Sequence, residues 1–157
     1  SSIKEDNVMP TLGVFGQGAP ARLYLPVQSV EGASLTNGFL VGYRLAAASF
    51  NMNAAVLVAS GTAGDLPGFI GVAAADIADT AYGLALCWGY AASVRLSNVG
   101  SSITFTSGDP LVPGAARGGA FSLAPTYAAS GLKFILASNP PPAISAAAWL
   151  SGLARCL

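Results

Sequence analysis

The chain has 157 residues, and its seven basic and seven acidic side chains balance to a formal net charge of zero. Only 9% of its residues are charged, against about 25% in an ordinary soluble domain, and 53% are apolar. This balance excludes the basic footprint of a nucleic-acid-binding protein, and the complete absence of histidine excludes Ser-His-Asp and Cys-His catalysis. So little charge favours a surface that is covered by neighbours in an assembly, with a compact monomer as the alternative.

Neither of the two long apolar stretches has the composition of a membrane span. Residues 45–64 include Asn51 and Asn53, and residues 134–154 are interrupted by three consecutive prolines. The first ten residues, SSIKEDNVMP, carry three charges where a signal peptide would have its apolar region. We therefore expect a soluble, non-secreted protein without a membrane partner.

The first 21 residues differ from the chain that follows. The sequence SSIKEDNVMPTLGVFGQGAPA combines polar residues, prolines and glycines without sustained periodicity. This composition is typical of an arm that packs against something else, and an ordinary frayed terminus is the alternative.

Residues 22–139 alternate between short runs of strand formers and turn signals. The runs are RLYLPVQSV, GFLVGYRLAAA, AAVLVAS, GFIGVAAA, YGLALCWGYAASVRL, SSITFT, GAFSLAP and GLKFILAS. Their spacing predicts an all-β domain, a small barrel or sandwich of short antiparallel strands. Alternation places Val94, Leu96, Ile103 and Phe105 on one face. Pro26 restricts the first run to a sheet edge or interrupts it.

The tail, residues 140–157, begins with the triple proline and continues as AISAAAWLSGLARCL. Apolar residues at helical spacings and the abundant alanine predict a short C-terminal helix, with Gly152 as its weak point. A last strand that ends in ARCL is the alternative.

Fragments of catalytic and cofactor motifs occur, but each lacks its required context. The GQGAPA segment matches a dinucleotide pattern, yet an extended run follows it instead of a helix. The SGLK segment has hydrolase spacing without partner motifs. Asp76 and Asp79 fit a solvated turn better than a carboxylate pair. Cys87 and Cys156 are predicted to be small buried residues, since two thiols make no disulfide framework. We expect that the protein is not an enzyme and that it binds neither a cofactor nor a metal ion.

The stretch SGDPLVPGAARGGAF, residues 107–121, resembles a phosphate-binding loop in its glycine content. A Walker loop needs lysine followed by Ser or Thr at a helix start, whereas here Arg117 precedes two glycines and a strand-like run. The residues predicted to build a reversal between strands are Gly108, Asp109, Pro110, Gly118 and Gly119.

Two segments together resemble the head decoration, or cement, proteins of tailed bacteriophages. They are GFIGVAAADIADTAYGLALCWGYAASVRL and ITFTSGDPLVPGAARGGAF. A strand that ends in GVA, a strand pair of the form x-G-x-A-x-V and a GD-x-L turn with later glycines form the pattern. The matching positions are Gly71, Val72, Ala73, Gly89, Ala91, Val94, Gly108, Asp109, Leu111, Gly118 and Gly119. The chain departs from the pattern at Tyr82-Gly83, where the family often has Gly-Glu.

The resemblance implies a structural protein that is made in the host cytoplasm and binds the outer surface of the phage head. Its implied partners are the major capsid protein and further copies of itself, as a trimer or alternatively a dimer. Aromatic enrichment at interfaces makes Phe39, Tyr43, Trp88 and Tyr90 candidate anchors. Arg117 is a candidate partner for a neighbouring subunit's carboxylate. A tail or baseplate subunit and a glycan-binding module remain alternatives.

Overall fold

The structure is a computed structural model, and it describes residues 21–45, 53–59, 61–62, 65–96, 107–121, 133–138 and 148–156. These residues form nine strands and one short helix. In chain order the elements are β1 (Leu23–Ser29), β2 (Leu40–Tyr43), β3 (Ala54–Leu57), α1 (Asp65–Gly68), β4 (Phe69–Ala73), β5 (Tyr82–Leu96), β6 (Pro110–Pro113), β7 (Ala120–Phe121), β8 (Phe134–Ser138) and β9 (Ala148–Arg155).

All nine strands belong to one sheet that closes on itself. The order β1-β3-β2-β4-β5 returns to β1 through a β1–β5 pairing, which makes a closed five-stranded barrel. The sheet continues as β5-β7-β6-β8-β9, and β9 pairs back onto β5. The predicted all-β barrel is confirmed. Most pairings are antiparallel, whereas β1–β3 and β5–β7 are parallel.

Strand β5 joins the two rings because its partners change along its length. Its first half pairs with β1 from Tyr82 to Trp88, and its second half pairs with β9 from Trp88 to Leu96. Gly89 has φ +110°, and the β9 register shifts between Ala91 and Val94. Both features bend a strand, so one 15-residue strand serves two rings.

The buried side chains divide into two cores. The smaller core draws on all five strands of the barrel, and the larger core joins the second ring to residues of β2 and β4. The smaller core contains Val27, Leu35, Val41, Ala55, Ile70, Ala73, Ile77 and Ala85. Fully buried members of the larger core include Leu40, Phe69, Val94, Leu96, Leu111 and Ile135. Val94 and Leu96 therefore share one core, as their alternation predicts.

The C-terminal tail corrects one prediction. Residues 148–155 form strand β9 and not a helix, and β9 pairs with both β5 and β8, so the β domain extends beyond residue 139. Burial alternates, with Leu150 and Ala154 inside and Trp149 exposed. The two neighbouring strands satisfy the backbone of β9 and override the helical preference of alanine. Residues 140–147, which carry part of the helical pattern, lie outside the described residues.

Other predicted segments also lie outside the described residues. These are the arm up to residue 20 and the run that contains Ile103 and Phe105. Pro26 lies within β1 opposite Leu84, and β3 does not pair with β1 at this position. The position suits proline because proline has no N–H group to donate to a neighbouring strand. Within the described ranges, no helix has the length and apolar character that a membrane crossing requires.

Candidate docking face

Exposed apolar side chains are concentrated on two paired strands, β1 and β5. The large apolar residues exposed on these strands are Leu23, Tyr24, Tyr82, Leu84 and Tyr90. The exposed fraction is 66% for Tyr82 and 49% for Leu84, so both side chains lie on the surface of a single copy of the chain. An exposed apolar patch rimmed by polar residues marks an interaction site more often than a single exposed leucine does.

The strand register places these side chains on one side of the sheet. From Tyr82 to Tyr90 the even-numbered β5 residues share a face, because side chains alternate along a strand. Between the exposed members of this face, Leu86 is buried and Trp88 is half-buried. Pro26 lies opposite Leu84, and Gln28 lies opposite Tyr82. The register shifts between Leu23 and Tyr24, so both residues lie opposite even-numbered β5 positions. We call the set Leu23, Tyr24, Tyr82, Leu84 and Tyr90 the apolar face.

A cleft of about 240 Å³ lies at the Tyr90 end of the apolar face. Tyr24 and Tyr90 line it together with buried Leu86, and Asn37 and Ser93 add polar groups. Arg22 Nε donates a hydrogen bond to the Tyr90 carbonyl oxygen at 3.0 Å, and the Arg22 guanidinium lies 5.8 Å from the Tyr90 ring centroid. The cleft therefore combines aromatic surface with one cation.

Strands β1, β5, β8 and β9 carry no carboxylate, but Arg95 lies on β5 and Arg155 lies on β9. The acidic residues of the described ranges lie between the strands, in α1 or in loops. Asp76 accepts a hydrogen bond from the Asn37 N–H at 2.8 Å, and Asp79 accepts one from the Gly32 N–H at 3.0 Å. These two carboxylates join two loops of the barrel. The strands around the apolar face therefore carry arginine and no carboxylate, while Asp76 binds Asn37 at the edge of the cleft.

Two of the five predicted interface residues lie on the side of the sheet that carries the apolar face. Tyr90 is one of its exposed members. Trp88 is half-buried, and the Arg155 guanidinium stacks over its ring with 5.0 Å between the guanidinium carbon and the ring centroid. Trp88 therefore lies on the same side as the apolar face but contacts Arg155 of its own chain.

The other three predicted interface residues have partners inside the chain. Phe39 lies between the Arg95 guanidinium, 4.5 Å from its ring centroid, and the Trp149 ring at 5.8 Å. Tyr43 packs against the smaller core. Arg117 forms a bidentate ion pair with Glu31, with Nη2 at 2.6 and 2.7 Å from the two carboxylate oxygens. Glu31 also accepts from the Leu57 N–H, so this pair ties the β6–β7 turn to the barrel.

The predicted reversal residues lie around strands β6 and β7, which form an antiparallel hairpin. Gly118 and Gly119 lie in its turn, and the Gly114 N–H donates to the Gly119 carbonyl at 2.8 Å. Gly108 and Gly118 have φ of +89° and +77°, a conformation that favours glycine. The Asp109 carbonyl accepts from the Ala137 N–H, and Pro110 begins β6. The loop's glycines thus turn the chain, and a strand, not a helix, follows Arg117.

Both cysteines are free and buried, and they lie side by side. The Cys156 N–H donates to the Cys87 carbonyl at 2.9 Å, and the Cys87 thiol contacts the Leu23 carbonyl oxygen at 3.2 Å. Burial raises the pKa of the Cys156 thiol from its ordinary value of 9.0 to about 12. It raises the pKa of Cys87 as well. Both thiols are neutral core groups at physiological pH.

The raised pKa of Cys156 makes the stability of the fold sensitive to alkaline pH. Since the unfolded thiol ionises near 9.0 and the folded one only near 12, its stabilising contribution is complete below pH 9 and is lost as the pH rises towards 12. We expect the wild type to lose on the order of 1 kcal/mol relative to Cys156→Ala between pH 8 and pH 10. Urea unfolding at both pH values measures this difference, and parallel pH profiles of the two proteins would contradict it.

In the parts of the chain that the structure describes, no group of three or more Cys, Asp or Glu side chains could hold a metal ion. No protein-family model matches this chain, and no curated protein or solved structure is significantly similar to it. The exposed side chains and the strand register single out the apolar face on the described surface. Its signal in the sequence is the lack of charge in two runs, residues 23–30 and residues 82–94.

Proposed function

We propose that this protein is a structural decoration, or cement, protein that binds the outer surface of a phage head and stabilises contacts between major capsid subunits. The observation that carries the proposal is the apolar face, an exposed apolar surface on a closed barrel. The strands that form this surface carry no carboxylate. Low total charge and the resemblance of about residues 38–137 to head decoration proteins support the same function. The protein would act in the virion as a homo-oligomer, a trimer or alternatively a dimer.

The physical basis of the function is burial of apolar surface between many identical neighbours. Burial stabilises by about 25 cal/mol per Å², before the cost of association is subtracted. Tyr24, Tyr82 and Tyr90 supply large, rigid contact areas of the kind enriched in interfaces. On a shell, many interfaces act together. Each single interface can therefore be weak, and together they still stabilise the shell against the outward pressure of the packaged DNA.

A charge placed in the apolar face should reduce the occupancy of capsids. We expect Leu84→Asp to bind purified heads at least about tenfold more weakly, because the new carboxylate must be desolvated in the contact. Leu45→Asp is a matched control, since Leu45 is 48% exposed and lies outside the face. Quantitative gels of sedimented particles measure occupancy. Equal loss in the two variants would contradict a role for the face, and wild-type protein that fails to bind heads would contradict the function.

A glycan-binding module is the second candidate, and the cleft is the observation that favours it. Tyr24 and Tyr90 offer aromatic surface, and Asn37 and Arg22 offer hydrogen-bond donors beside it. Titration with host surface glycans, followed by chemical shifts of the Tyr24 and Tyr90 rings, tests this function. Electron micrographs of labelled virions distinguish a head protein from a tail or baseplate subunit.

A further inference from the structure

Residues 1–20 join the described domain at the apolar face. The Ala21 carbonyl oxygen occupies the space that a side chain at Gly89 would fill. The next residue, Arg22, is fixed by its hydrogen bond to the Tyr90 carbonyl. The point of departure of the preceding chain is therefore set beside Tyr90, at the rim of the cleft.

The direction of departure is set by the antiparallel pairing of β1 and β5. Followed backwards from Gln28 to Leu23, the chain passes from Tyr82 to Trp88 on the neighbouring strand. The described chain consequently begins at the Tyr90 end, and the direction of β1, continued backwards, points away from Leu84 and Tyr82. To cover the face of its own copy, the segment would have to reverse that direction.

The length of the segment is sufficient to reach another molecule. Twenty extended residues span about 60 Å, whereas the face from Tyr82 to Tyr90 is about 27 Å long. A segment of eight or nine residues is enough to cover the face from end to end. The remaining residues would cross the distance between two neighbouring copies.

The composition of the segment complements the face. Its larger apolar residues are Ile3, Val8, Met9, Leu12, Val14 and Phe15. Its two acidic side chains, Glu5 and Asp6, outnumber its one basic side chain, Lys4. This excess of one negative charge complements a side of the sheet whose strands carry no carboxylate and where Arg22 and Arg155 lie. Apolar burial would supply the attraction, and charge would favour one direction of docking.

We propose that the apolar face of one copy is covered by residues 1–20 of a second copy. The inference deepens the proposed function and rests on it, since copies held side by side on a shell would be joined by exchanged segments. It names the partner of Tyr82, Leu84 and the cleft as another copy of this chain.

Cross-linking between two differently substituted full-length proteins tests the proposal without capsids. Val14→Cys protein is mixed with Leu84→Cys protein and treated with a short thiol cross-linker, while Cys87 and Cys156 stay buried. We expect a cross-linked dimer of one Val14→Cys and one Leu84→Cys chain, identified by mass spectrometry. Its yield should exceed that of a mixture with Leu45→Cys by about tenfold or more, because docking raises the effective concentration of the thiols.

Two results would overturn the inference. One is an equal yield from the Leu84→Cys and Leu45→Cys mixtures. The other is a Val14→Cys/Leu84→Cys double variant that cross-links only within one chain, which would show that the segment covers its own face. Head binding by wild-type protein is scored separately, so heads that bind protein without exchanged segments would reject this inference and leave the proposed function standing.

Discussion

Gly71→Ala is expected to prevent folding or to lower the free energy of unfolding by at least about 4 kcal/mol. Gly71 lies in β4 with φ +145°, in a region that residues with a side chain rarely adopt. A β-carbon there would also overlap the Leu86 carbonyl oxygen on β5. The clash is with backbone, so no rotamer change relieves it. Urea unfolding or the soluble yield measures the effect.

Gly108→Ala is the matched control for this substitution. Gly108 also has positive φ, +89°, but a β-carbon there would meet nothing within 4 Å. Gly108→Ala should therefore lower the free energy of unfolding only because alanine disfavours this backbone conformation, by about 1 kcal/mol. If both substitutions cost the same free energy of unfolding, Gly71 would not be needed for a close approach of β4 to β5, and the β4–β5 contact described at this point would be wrong.

Phe69→Ala has the second-largest expected effect, a loss of about 3–5 kcal/mol in unfolding free energy. Phe69 is fully buried and is the largest such side chain in the described core. It lies in β4 and packs in the larger core, so its loss leaves a cavity where the barrel meets the second ring. Tyr82→Ala removes a comparable ring that is mostly exposed, and it should change stability by less than about 0.5 kcal/mol. A small effect of Phe69→Ala in urea unfolding would contradict this core assignment.

These expectations bear on function because the two rings share β5. Its buried residues, among them Ala85 and Leu96, hold the two cores, while Tyr82, Leu84 and Tyr90 are presented outward. Loss of folding and loss of docking should therefore separate cleanly between inward and outward positions of one strand. Phe69→Ala on the neighbouring strand β4 and Leu84→Asp on β5 compare a buried position with an exposed one.

The candidate site was only partly predictable from sequence. Tyr90 and Trp88 were recognisable as aromatic residues of a strand, but nothing local distinguishes them from Phe39 and Tyr43. Those two pack inside the chain because of partners that are distant in sequence, such as Trp149 for Phe39. Arg117 finds Glu31 for the same reason, 86 residues away.

The sequence by itself determined the strand content and the turns, because alternation, glycines and prolines act within a few residues. It thus indicated nearly the whole of β5 and the glycine-rich reversal before β7. Only the tertiary structure decided that the tail is β9, because strands β5 and β8 flank it and satisfy its backbone. Closure of the sheet likewise decided which face of β1 and β5 is buried. In an apolar chain both faces resemble a core, and only the neighbouring strands determine which one stays exposed.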